Sequence, residues 1–110
     1  MKLVNLTPHA VNVVLDDGAS LKIAPSGVVA RCTQSDVTVG TVDVDGITIT
    51  IPLTKTSFGD VMDLPDPVPG TLFIVSRLVA TAANRDDLVV PNGIVRDDNG
   101  NIIGCKSLSR

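Results

Sequence analysis

A chain of 110 residues and 11.4 kDa can enclose one core but not two, so a single domain over residues 1–110 is expected. Hydrophobic residues make up 44% and aromatic residues 2%, which leaves Val, Ile and Leu to fill the interior and suits pleated strands. A net charge of −3 without any cluster of Lys and Arg offers no footprint for a DNA or RNA backbone. The longest apolar run, Leu72 to Ala83, contains Arg77 and is far too short to span a bilayer.

From the N-terminus, Lys2 to Leu6 reads as a strand, Thr7-Pro8 interrupts it, and Ala10 to Leu15 resumes. Asp16-Asp17-Gly18 is a hairpin turn answered by Ser20 to Ile23, and Ala24-Pro25-Ser26-Gly27 turns again before Val28 to Cys32. Asp36 to Val44, the turn Asp45-Gly46 and Ile47-Thr-Ile-Thr-Ile-Pro52 follow. The Ile/Thr alternation is the cleanest period-two pattern in the chain and predicts one buried face.

Lys55 to Leu64 is polar and contains glycine, and Pro65, Pro67 and Pro69 make an extended crossing. Thr71 to Val75 predicts a buried strand, and residues 76–84 form the one helical window, with Ser76 as its cap. Leu88 to Arg96 and Ile102 to Cys105 predict a terminal hairpin with Asn99-Gly100 at its tip. The expected fold is mainly β: a small sandwich or partly open barrel of about seven to nine short strands with one short helix. Strand edges in so small a domain invite coverage by further copies, so a homo-oligomer is expected.

All 12 acidic residues are Asp, a residue of turns and caps rather than of exposed helix surfaces. The Asp pairs at 16–17, 86–87 and 97–98 lie in turn contexts, so no metal site and no cofactor are expected. Cys32 and Cys105 fit no metal spacing, and no signal peptide precedes the first strand, which predicts reduced thiols and a cytoplasmic location. His9 is the only histidine. It reads either as a residue at a bend or as a ligand contact, and a dyad with a cysteine or an Asp would make the protein a small hydrolase.

The last third concentrates Arg77, Asn84, Arg85 and Arg96 around a strand that carries Phe73. Arginine forks suit phosphate, and a ring can stack on a base, so these residues with His9 are the candidate ligand-binding set. Each also has a bland reading: Arg85 and Arg96 precede Asp pairs and can pair locally, while Phe73 lies within an apolar run.

The segments NLTPHAV, PSGVVARC, GTLFIVSRLVATAANRDDLVVP and VRDDNGNIIGC resemble a group of small proteins of phages, prophages and bacteria. In that group an NLTPH-like start is joined to a VRD-x-x-G-x-IIGC-like terminal hairpin. In size and type the chain is also similar to the Thoeris anti-defence proteins, which sequester cyclic ADP-ribose signals without cleaving them. That similarity implies a non-catalytic oligomer holding a small phosphorylated, nucleotide-like ligand between subunits as a sponge for an immune signal. A structural or assembly accessory of a virion is the alternative, and would present a flat, self-associating β surface.

Overall fold

The computed structural model describes residues 1–110 as eight strands and one helix. In chain order they are β1 (Lys2–Asn5), β2 (Val11–Val14), β3 (Ser20–Ile23), β4 (Arg31–Asp43), β5 (Thr50–Met62), β6 (Thr71–Ile74), α1 (Arg77–Ala83), β7 (Leu88–Arg96) and β8 (Ile102–Ser109). The protein is mainly β, with its single helix inside the expected window. The hydroxyl of Ser76 accepts from the Val79 N–H at 3.3 Å, and Asn84 ends the helix in the left-handed region, at φ 50°.

Six strands form one sheet in the order β1-β6-β7-β8-β2-β3. The hairpins β2–β3 and β7–β8 are antiparallel, as their turn residues predict, whereas β1/β6, β6/β7 and β8/β2 are parallel. Parallel neighbours cannot be joined by a tight turn. The β6–α1–β7 segment supplies the crossover that such a pair requires.

The sheet curls until its two end strands touch. Asn5 of β1 and Pro25, just after β3, form an isolated bridge, and the Ser26 N–H donates to the Asn5 carbonyl at 2.9 Å. With no continuous ladder there, the result is a partly open barrel. Val11, Ile74, Val89 and Cys105 pack together across the curl. A second cluster, which includes Leu6, Ala30, Phe73, Val75 and Val79, packs between the sheet, α1 and the lower ends of β4 and β5.

Asn5, 1% exposed, holds this closure with its side chain as well. Its Nδ2 donates to the carbonyls of His9 (2.8 Å) and Ile23 (3.1 Å), and its Oδ1 accepts from the Thr7 N–H at 2.9 Å, with the Thr7 hydroxyl 2.6 Å away. The NLTPH stretch is therefore a turn locked from inside by its own first residue. Pro8, which has no N–H to satisfy, sits exposed at the corner.

The strands β4 and β5 are the main departure from the sequence-based expectation of short strands. Each runs for 13 residues, and they pair only with one another, with a bulge between Thr38 and Gly40 and another irregularity near Thr33. The polar stretch from Lys55 onward continues the strand, because Thr, Ser and Lys side chains are tolerated where both ribbon faces meet solvent. Such a ribbon is roughly 40 Å long at the rise of an extended chain. It stretches the molecule to 55 × 40 × 22 Å, with a radius of gyration of 18.4 Å against about 13 Å for a compact chain of this length. No helix is long and apolar enough to cross a membrane.

Replacing Asn5 with Ala leaves the Ile23 carbonyl and the Thr7 N–H without this partner in a half-buried setting, while the His9 carbonyl keeps the Thr7 hydroxyl. Unfolding by urea is expected to show a loss of about 2–3 kcal/mol. A loss below about 0.5 kcal/mol would show that the closure does not depend on this amide.

Candidate functional site

The six candidate residues fall in four places. Phe73 is 3% exposed and packs in the same cluster as Leu6, Val79 and Leu88, so its ring faces the core and not a ligand. Arg77 opens α1 and is exposed, whereas Asn84 caps the other end of the helix, about 10 Å away along its axis. Arg85 follows Asn84. Arg96 sits near the tip of the β7–β8 hairpin and donates to the Gly100 carbonyl at 2.8 Å, and His9 is exposed in the turn before β2. No hydrogen bond links any of the six side chains to another of the set.

Arg85 is committed locally. Its Nε donates to Asp87 Oδ1 at 2.9 Å, its Nη2 donates to the other carboxylate oxygen, and its Nη1 donates to the Pro65 carbonyl at 2.9 Å. The fork thereby ties the proline-rich crossing to the start of β7. The hydrogen bond from Arg85 holds the Asp87 carboxyl below its ordinary value of 3.8, against the opposing effect of burial, and the same bond raises Arg85.

Several other polar candidates also have structural partners. Asp17 accepts from the Ala19 N–H, and Asp97 accepts from the N–H groups of Asn99 and Asn101, all at 2.9 Å, so these carboxylates cap turns. The Cys105 thiol is buried and donates to the Asn12 carbonyl at 3.5 Å, while Cys32 packs beside the other core cluster. His9 contributes its backbone carbonyl to the Asn5 clasp and, through that carbonyl, to the Thr7 hydroxyl.

One shallow groove opens where β2 meets β7 and β8. It measures about 230 Å³ and is lined by Val11, Asn12, Pro91, Asn92, Ile94 and Cys105, among others. Along the groove β2 and β8 form a register pair at one place only, Val13 opposite Cys105, while Asn12 meets β8 through the Ile103 carbonyl and the Cys105 thiol. Gly104 makes that approach possible: a Cβ there would lie 2.6 Å from the Asn12 carbonyl oxygen. The sequence signals did not point to Asn12 or Asn92. Neither belongs to a motif, and only the curl of the sheet brings them together.

The β4–β5 ribbon carries the largest surface feature. Register places Asp36/Thr56, Thr38/Thr54, Thr41/Pro52 and Asp43/Thr50 directly opposite one another on one face, with Thr56 and Thr50 donating to the two Asp carboxylates at 2.7 and 3.0 Å. The other face carries Val37/Lys55, Gly40/Leu53 and Val42/Ile51, with Val39 in the bulge. The first face is mainly polar, with Phe58 exposed on it opposite Gln34; the second is mainly aliphatic, with Lys55 and the Ser35/Ser57 pair toward its lower end. The alternation at 47–51 predicts a buried face, yet Val37, Val39, Val42, Ile51 and Leu53 are 43–60% exposed. A single chain has nothing to lay against them.

No family model, no curated protein and no solved structure matches this chain. The functional reading therefore rests on these residues and their geometry.

Two outcomes follow from the local geometry. A carboxyl with a depressed folded pKa contributes stability above its unfolded value, 3.8, and loses it as pH falls through the folded value. The melting-temperature gap between the wild type and Asp87→Asn is thus expected to be widest well above pH 3.8 and to close as pH falls below it; a gap independent of pH would contradict the pairing. Gly104→Ala is expected to push β8 off β2 and lower stability by about 1–3 kcal/mol in urea unfolding, and an unchanged midpoint would contradict the close approach.

Proposed function

We propose that this protein is a non-catalytic binder of a small phosphorylated, nucleotide-like ligand, acting as an assembly of identical chains in which a second copy completes each site. The observation that carries this reading is the groove between β2, β7 and β8. Its walls of Val11, Pro91 and Ile94 suit a flat ring; the Asn12 and Asn92 Nδ2 groups each donate once within the chain, to the Ile103 carbonyl at 3.4 Å and the Ser107 hydroxyl at 3.2 Å, which leaves one N–H and the Oδ1 of each amide for a heterocycle edge. At about 230 Å³ it is smaller than the roughly 300–1,000 Å³ of pockets that enclose a ligand within one chain.

The groove lining contains no charged side chain, so the phosphate has to be met from outside it. Arg77 and Arg96 make no ion pair, and His9 adjoins the lining residue Ala10 in the chain. Contributions from a second copy would bring such groups to a ligand that one chain only half covers. Sequestration of a nucleotide immune signal, of the cyclic ADP-ribose or cyclic oligonucleotide type, is the use to which the sequence resemblance points. A virion assembly accessory is the second reading, and the exposed apolar ribbon face favours it.

The test is incubation of the purified protein with cyclic ADP-ribose isomers and cyclic dinucleotides, removal of free ligand, heating, and mass spectrometry of what is released. The proposal expects one of these nucleotides to be recovered intact, and His9→Ala to weaken its binding about tenfold with an unchanged melting temperature. Recovery of a chemically altered nucleotide would make the protein an enzyme. No retained nucleotide would leave the assembly reading.

A further inference from the structure

The Ile/Thr alternation and the paired Thr/Asp residues opposite it give the β4–β5 ribbon one face built for water and one built for an interior, yet the chain folds with both in solvent. An isolated two-stranded ribbon is marginal in water, and both of its long edges lack partners. Something has to cover the apolar face. We propose that the occupant is the same face of a second copy of this chain, packed antiparallel about a two-fold axis near Val42 and Ile51.

Area supports a second copy. With Val39 in the bulge and Val44, Ile47 and Ile49 near the turn added to the four ladder residues, eight large aliphatic side chains are 38–65% exposed on each chain, a surface of the scale of the ~800 Å² that each partner contributes to a stable two-protein interface. A face that meets its own copy about a two-fold axis needs only to complement itself, which a stripe of Val, Ile and Leu of similar size does. Two such ribbons pack about 10 Å apart, as sheets do in a sandwich, and their Thr/Asp faces remain in water.

Charge selects the antiparallel arrangement. Lys55 is the one charged residue in the ladder of the apolar face, toward its lower end, and Asp45 sits in the turn at its tip. Antiparallel packing brings each Lys55 to the partner's Asp45, whereas parallel packing sets Lys55 against Lys55 and Asp45 against Asp45. The polar face offers no comparable contact, because its carboxylates are already satisfied by Thr50 and Thr56.

This inference deepens the reading of the protein as an assembly of copies and rests on it, but the two fail differently. Light scattering during size exclusion is expected to give a mass of at least twice 11.4 kDa for the wild type. Ile51→Thr with Leu53→Thr, which extends the chemistry of the polar face and places a β-branched residue at both strand positions, is expected to give 11.4 kDa. Thr54→Lys, on the polar face, is the control and is expected to leave the wild-type mass.

An oligomer that survives the double substitution would overturn the ribbon interface and leave the assembly reading standing. A wild type that stays at 11.4 kDa at high micromolar concentration would overturn both. Hydrogen exchange on the wild type decides the matter if the double variant does not fold. Amides of residues 37–53 are expected to gain at least tenfold protection between low and high micromolar protein, and protection that does not change with concentration would overturn the interface.

Discussion

The buried side-chain amide of Asn5 joins the two ends of the sheet, and the rest of the molecule is arranged around that closure. Its donors and acceptor hold the turn at Thr7–His9 and the end of β3 against β1. With the ends held, Val11, Ile74, Val89 and Cys105 meet across the curl, and the outer surface of the sheet is free to receive α1 and the lower end of the ribbon. A core this small, without large rings beyond Phe73, gains from being fixed by directional bonds that only one geometry satisfies.

The same closure limits what the chain can bury. Only 13 of 110 residues are buried, although 44% are hydrophobic, because β4 and β5 leave the barrel as a ribbon instead of joining its sheet. Most of the exposed aliphatic surface in that ribbon's ladder, Val37, Val42, Ile51 and Leu53, lies on one face, with Phe58 the exception on the Thr/Asp face. Scattered exposed Val and Ile residues are ordinary in small proteins; a one-sided stripe of them is not. The groove, at about 230 Å³, is smaller than pockets that enclose a ligand within one chain, and the ribbon presents an aliphatic face with no opposing layer.

Much of the fold was legible in the sequence because it is written in local turn chemistry. Asp16-Asp17-Gly18, Asp45-Gly46 and Asn99-Gly100 mark the hairpin tips, and Ser76 and Asn84 bracket the helix. The parallel pairings were not legible, since nothing local distinguishes a strand that will pair through a crossover from one that will pair through a hairpin. The length of β5 was hidden by the polar stretch after Lys55, which reads as loop until its partner Gln34–Val37 is known. The candidate site fared unevenly for the same reason: Arg85 and Arg96 were visible as arginines, but their commitment to Asp87, Pro65 and Gly100 depends on chain geometry. The Ile/Thr alternation predicted a buried face that the chain does not form: Ile47, Ile49 and Ile51 are 49–65% exposed, and β5 begins only at Thr50.

Small-angle X-ray scattering of the wild-type protein over a concentration series tests the central claim, that the chain is built to work as more than one copy, most directly. The account predicts a forward-scattering mass of at least two chains and a profile fitted by ribbons stacked face to face. A mass of 11.4 kDa at every concentration, with the 18.4 Å radius of gyration of the single chain, would contradict it.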